Sequence, residues 1–300
     1  MRIPKGGVAF FDSGIGGLTV LSECKKHQSE EIFYYYGDNH HAPYGNLPTK
    51  KIKRYVFRAC RRFKRLKAKA VVIACNTATA VCVEELRKKF PFPIIGTEPA
   101  VFTAAAKGGK VLVLSTRVTS ESDRFHSLCG RAAKTFPDAH IKVCPCDGLA
   151  GAIERHFSDK DYDYGGYLPK ESADVVVLGC THYIYIVEQI RRFYHCPIVD
   201  GNEGISRQLF RVLGGLNEGV KQEEMQSVKN RDFRPLDERN DKKVGTLTTE
   251  RGGWGECHNL SNKRLRKKSL KTSKVDKNGG VIFLGKQRKN NKKAYEQMFI

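Results

Sequence analysis

No stretch of this 300-residue chain approaches the roughly 20 consecutive apolar residues that a membrane-crossing helix needs. Insertion into a bilayer is therefore not expected. The start, MRIPKGGVAFFDSG, has a short apolar run but no cleavage-site pattern, and reads as a first strand instead of an export signal. There is no CxxC pair and no cysteine–histidine spacing of the zinc type among the ten cysteines. Cys144 and Cys146 form a CxC beside Pro145, a weak metal cue, and no metal is expected. Scattered cysteines without an export signal point to reduced thiols and a cytoplasmic setting. The glycine-rich turn in FFDSGIGGL also lacks something: Thr19 stands where the last glycine of GxGxxG would be. Asp12 in the same turn would repel a phosphate, which argues against a nucleotide cradle.

Acidic residues are scarce as well. Against 53 Lys and Arg stand 32 Asp and Glu, a formal net charge of +21. Residues 50–69 hold eleven Lys or Arg and no acid, in a helical pattern with Ile52, Val56, Phe63 and Leu66 inward. Residues 257–300 hold thirteen Lys or Arg against Asp276 and Glu296. Such surfaces attract polyanions without specificity. The first reading is a solubilising face and a flexible tail, with weak, salt-sensitive binding to nucleic acid or anionic surfaces as the expected side effect.

What is present is an alternation of short apolar runs with amphipathic helical patterns over the first two hundred residues. Strands are expected at 7–11, 32–36, 70–74, 93–96, 110–114, 140–144, 174–178 and 197–199. Helices are expected near 17–27, 49–67, 77–89, 99–106, 119–134, 148–157 and 183–194. This is an α/β fold built from parallel sheets. It divides into residues 1–98, joined by a return segment about 208–220, then 99–207, and a basic, flexible C-terminal segment 221–300. VIFLG at 281–285 could add one short strand.

Two strand ends carry the chemistry. VVIACNTAT at 71–79 and VVVLGCTHY at 175–183 each run out of buried aliphatic residues into a cysteine, Cys75 or Cys180, just ahead of a helical pattern. Ligands of open α/β sheets sit at the carboxyl ends of the strands. A helix N-terminus lowers a thiol's pKa toward neutral, and Asn76, Thr77 and Thr181 could cap those helices. Two matched half-sites, each with one thiol, suit chemistry that needs a proton carrier on each side of a substrate. Asp12 at the first strand's end suits an ammonium group or a thiol whose protonation it steers, with helix capping as the plainer alternative. His182 can exchange a proton near neutral pH.

DSGIGGL, GDNHHAPYG, ACNTATA, GTEPA and GCTHY, in this order, resemble the aspartate/glutamate racemase family, and its glutamate-acting members above all. The resemblance runs from about residue 6 to about 213. It implies two pseudo-symmetric parallel-sheet α/β domains with the active site in the cleft between them, and interconversion of L- and D-glutamate without a cofactor, as part of peptidoglycan synthesis. It makes Cys75 and Cys180 the proton carriers, with Asp12 assisting the first, and His182 and Glu154 the second. Ser13, Tyr44, Gly45, Asn76, Thr77, Thr116 and Thr181, with Asp12 and His182, would bind the amino acid. A homodimer, an aspartate-acting racemase of the same family and an added nucleic-acid-binding role remain open alternatives. Ile184 departs from the family pattern, which usually has proline after GCTHY, and so alters the expected start of the helix. The long basic C-terminus has no counterpart in the pattern.

Overall fold

In the computed structural model, residues 6–27, 31–229, 280–285 and 288–299 are described, with residues 217–229 described at the level of the backbone. The chain order is β1 (Val8–Asp12), α1 (Gly17–His27), β2 (Phe33–Gly37), α2 (Thr49–Arg65), β3 (Ala70–Ile73), α3 (Asn76–Lys89) and β4 (Ile94–Gly96). It continues with α4 (Val101–Ala105), β5 (Gly109–Ser115), α5 (Arg117–Ser120), α6 (Asp123–Thr135), β6 (Ala139–Pro145), α7 (Leu149–His156) and β7 (Val175–Gly179). α8 (Val187–Tyr194), β8 (Ile198–Val199), α9 (Asn202–Lys229), β9 (Val281–Phe283) and α10 (Arg288–Phe299) complete it.

Two all-parallel sheets result, one in the order β4-β3-β1-β2-β9 and the other β6-β5-β7-β8. Their central strands are buried on both faces, which is why VAFFD, AVVI and VVVLG read as unbroken apolar runs. The two sheets repeat one plan. In each, the chain leaves the first strand to pair on one side (β2, β6) and then crosses to the other (β3, β7). The crevice where direction reverses, between β1 and β3 or between β5 and β7, is where open α/β sheets bind ligands. Asp12 and Cys75 stand at one such crevice, Thr116 and Cys180 at the other.

After β8 the chain returns to the first sheet. Ile205, Leu209 and Leu213 of α9 pack with Val8, Phe10 and Leu18. Residues up to 216 and from 272 onward group into one compact unit, and Asn217–Lys271 into another. Of that second unit only the helical continuation to Lys229 is described.

The C-terminal expectation needs correction. Residues 221–300 are not one flexible segment: Val281, Ile282 and Phe283 pair in parallel with Phe33, Tyr34 and Tyr35 as the edge strand β9, and α10 follows. The basic average over 257–300 concealed four consecutive apolar residues, Val281–Leu284, all at most 4% exposed, with Ala294 and Tyr295 buried behind them. Gly280 turns the chain into this strand at φ +76°, a conformation glycine adopts without strain. The basic stretch 230–279, on which the expectation of a flexible, polyanion-binding tail largely falls, lies outside the described residues. Among the described residues, no helix is long and apolar enough to cross a membrane.

Candidate active site

The site grows out of four strand ends. Asp12 closes β1 and is fully buried. Its carboxylate accepts the Gly14 N–H at 2.9 Å and the Thr181 hydroxyl at 3.2 Å. It is therefore a turn-former and a link to the second sheet, and no cap of α1, which begins only at Gly17. Burial raises its pKa above the usual carboxylate value, against the opposing pull of His182 and the Gly14 N–H.

Cys75 caps α3 with its own sulfur, which accepts the Ala78 N–H at 3.4 Å. The thiol points to Ser13 Oγ at 3.7 Å. The helix N-terminus does not make this group acidic. Burial, with Asp12 adding to it, pushes the thiol up to about 12, outweighing its hydrogen bonds with Ala78 and Ser13. The expectation of a near-neutral pKa at this cysteine is corrected on that ground: a few N–H dipoles do not replace lost hydration. Nor do Asn76 and Thr77 cap the helix. Asn76 leaves its buried Oδ1 without a partner. Thr77 joins a hydroxyl cluster, 3.0 Å from Thr116 Oγ1 and 3.3 Å from Thr119 Oγ1.

Cys180 leads into a 3-10 turn, Thr181–Ile186, and α8 starts only at Val187, later than the pattern suggested. This sharper turn brings His182 back so that its Nδ1 lies 3.7 Å from Cys180 Sγ. On its far side Nε2 meets Glu154 Oε1 at 2.6 Å. The same Glu154 oxygen accepts the Ile15 N–H at 2.8 Å, and Oε2 accepts from Asn39 at 3.3 Å. Burial alone would lower the His182 pKa, but the Cys180 and Glu154 contacts outweigh it and hold the ring protonated well above the ordinary histidine value. Burial likewise pushes Glu154 up, and the His182 hydrogen bond and charge overturn it, leaving the carboxyl below its usual range. An ionised Glu154–His182 pair backs Cys180.

The glycines of DSGIGG have a structural reason that the sequence did not disclose. A Cβ on Gly14 would fall within bonding distance of the Glu154 carboxylate, and one on Gly16 would meet Thr181 Oγ1 at 2.4 Å and His182 Nδ1 at 2.7 Å. The loop is bare so that the second sheet's acid–base groups can close against it. Gly45 does the same for Thr116, whose Cβ would lie 2.8 Å from an added Cβ. Tyr44 is buried, with its hydroxyl donating to Asp38 Oδ2 at 2.7 Å.

Asp12, Ser13, Cys75, Asn76, Thr77, Thr116, Cys180, Thr181 and His182 are thus all buried at the strand ends. Glu154 reaches them from α7 and Gly45 abuts Thr116. Three contributors were missed: Thr119, Asn39 and the Ile15 N–H. Thr119 lies one helical turn from Thr116, and Asn39 directly follows Asp38 in GDNHHAPYG. Those positions were the available signals.

Known proteins resemble this chain in sequence and fold. The profile of the Asp/Glu/Hydantoin racemase family matches residues 25–208, more than half of the chain. A glutamate racemase of Clostridium botulinum strain Loch Maree is 38% identical over 227 residues, covering 72% of this chain and 87% of the relative. One from Bifidobacterium animalis subsp. lactis is 38% identical over 231 residues, covering 72% and 88%. Among solved structures, Escherichia coli glutamate racemase in complex with L-glutamate and the activator UDP-MurNAc-Ala aligns with a TM-score of 0.64 at 30% identity, covering 70% of this chain and 83% of that one. Francisella tularensis glutamate racemase in complex with D-glutamate aligns at 0.60 and 25% identity, covering 72% and 83%. With the family profile matched over most of both sheets, this chain belongs to the Asp/Glu/Hydantoin racemase family.

Proposed function

We propose that this chain is an amino-acid racemase that interconverts L- and D-glutamate by a two-base mechanism, with Cys75 and Cys180 as the proton carriers. The observation that carries the reading is the pairing of the two thiols at equivalent strand ends, each with its own acid–base support: Asp12 beside Cys75, and the Glu154–His182 pair beside Cys180. That relatives at 38% identity are glutamate racemases, and that related structures hold L- or D-glutamate, supports this substrate over aspartate.

The hard step is removal of a very weakly acidic α-proton. One sulfur, as thiolate, takes that proton while the other, as thiol, delivers one to the opposite face of the α-carbon. The elevated pKa of Cys75 suits the donor role at the outset. The His182 imidazolium facing Cys180 matches negative charge placed on that sulfur. In the opposite direction Cys75 must first lose its proton. The raised pKa of Asp12 narrows the gap to the thiol and makes it a fitting acceptor. The unpartnered Asn76 Oδ1 offers an acceptor for the substrate ammonium, and the Thr77–Thr116–Thr119 hydroxyls offer donors for a carboxylate.

Acid–base catalysis by a placed group is worth roughly 10²–10⁴ in rate. Exclusion of water and fixed placement must supply the remainder. No pyridoxal, metal or nucleotide takes part in this scheme, and the D-glutamate formed would serve peptidoglycan synthesis. Circular dichroism of purified protein with L- and D-glutamate, without added cofactor and with aspartate alongside, tests it. Decay of the signal from both glutamate enantiomers is expected. A decay seen only with added pyridoxal phosphate, or only with aspartate, would sink the reading.

A further inference from the structure

The mechanism makes no use of α2, the most highly charged element described. Its buried face is Ile52, Val56, Ala59, Cys60 and Phe63, all in the core beneath the first sheet. Lys51, Arg54, Arg58, Arg61 and Arg65 follow one another at steps of three and four residues, and all five are exposed. At ~100° per residue these steps keep the five on one narrow stripe, turned away from the buried face by about half a revolution. At 1.5 Å of rise per residue, the stripe runs ~21 Å with a cation every ~5 Å. Lys50 and Lys64 flank it, also exposed. Lys53, off the stripe, pairs with Glu85. Among the described residues none of the five stripe cations has an acidic partner within ion-pair distance.

We propose that this stripe is a docking surface for the phosphate backbone of nucleic acid, bound without regard to sequence. Charge complementarity chooses the partner. Uncompensated like charges at ~5 Å spacing repel one another and are relieved by a polyanion of comparable charge density, which duplex DNA supplies at one charge per ~1.7 Å of axis. Four of the five are arginine, whose planar fork binds phosphate oxygens in pairs. A lipid surface fits less well. Helices that lie on membranes insert an apolar face, and the apolar face of α2 is already committed to the core. No aromatic side chain stands on the stripe to stack on a base, and a single row of cations reads no base edges, hence the lack of sequence preference.

The test is fluorescence anisotropy of a labelled duplex of arbitrary sequence, titrated with the full-length protein over a range of salt concentrations. The comparison is with Arg54→Glu/Arg58→Glu/Arg61→Glu and the charge-preserving Arg54→Lys/Arg58→Lys/Arg61→Lys. Wild type should bind with affinity falling steeply as salt rises, and equally well to a duplex of scrambled sequence. The glutamate triple variant should bind at least tenfold more weakly. Its log–log salt slope should be shallower by about 3, since each phosphate contact contributes ~0.9. The lysine variant should keep the slope. All three proteins should racemise alike, because none of these residues touches the site, and this reports on folding. Absence of wild-type binding, an unchanged slope in the glutamate variant, or stripe-dependent binding to phosphatidylglycerol vesicles but not to duplex would each overturn the proposal.

Discussion

Cys75→Ala and Cys180→Ala should each abolish racemisation, because each face of the α-carbon then loses its proton carrier. Each variant should still eliminate a leaving group from one enantiomer of a β-substituted analogue, a task that needs a single base. Near wild-type racemisation by either variant, followed by circular dichroism, would refute the two-base assignment. His182 carries a pH signature. Its pKa is raised above the ordinary 6.5, so its contribution to stability is complete below about that pH and is lost as pH climbs toward the folded-state value. Glu154 is lowered from 4.5, so its contribution is present above that pH and is lost as pH falls through the folded-state value. The pair therefore stabilises most between these two ordinary values. His182→Asn should flatten the decline of melting temperature above pH 6.5. It should also lower turnover more in the direction in which Cys180 takes the proton. A uniform fall in melting temperature with unaltered turnover per folded molecule would mean a purely structural histidine. Cys75, Cys180 and His182 stood out in the sequence, since strand-end cysteines and a neighbouring histidine need only local pattern, whereas Glu154 was named only through the family resemblance. Their protonation was not legible there. The high pKa of Cys75 comes from burial beneath elements brought in from far along the chain, and no N-terminal dipole argument reveals that.

At the scale of elements, the loop after β1 is the most exacting part. Gly16→Ala should reduce kcat/KM at least tenfold, because the new methyl would press on Thr181 and His182 where the second sheet's acid–base groups close. Gly130→Ala on α6, where an added Cβ meets nothing within 4 Å, should leave activity intact and slightly favour the helix. Equal activity in the two variants would show that the close approach at Gly16 has no catalytic consequence. Helices and strands of both sheets were legible because a strand buried on both faces announces itself as an unbroken aliphatic run. The 3-10 turn after Cys180 was not, and it is this turn that carries His182 to Glu154 on another element. β9 was legible only as VIFLG, and the surrounding charge argued against it. It is held by an edge of β2 that no local pattern discloses. A chain ending at residue 279 should therefore lose more than a tail: with β2 left as a bare edge above an opened core, its melting temperature should drop and aggregation rise. A truncated protein that melts like the full chain would show that β9 and α10 are dispensable.

The whole molecule carries an alkaline weakness that its composition alone does not announce. Cys24, Cys60, Cys75 and Cys146 are all buried, and burial pushes each thiol from an ordinary value of 9.0 up to about 12. In the unfolded chain these thiols ionise from about pH 9, while in the folded protein they keep their protons. The folded state then binds more protons than the unfolded one, so stability falls as pH rises through the interval from 9 to about 12. Each thiol can contribute up to ~1.4 kcal/mol per pH unit in that interval, so together they weigh heavily against the ~5–15 kcal/mol by which a domain is ordinarily stable. Beyond the decline that His182 sets from pH 6.5, melting temperature should fall much more steeply above about pH 9. Cys24 and Cys60 take no part in the proposed chemistry, which allows a clean test. Cys82 and Cys129 are raised by burial as well, so Cys24→Ala/Cys60→Ala should remove part of that slope while racemising glutamate at the wild-type rate near neutral pH. The same steepness in variant and wild type would assign the alkaline loss to other groups, with the buried tyrosines Tyr35 and Tyr183, whose pKa values burial also raises, the first to examine.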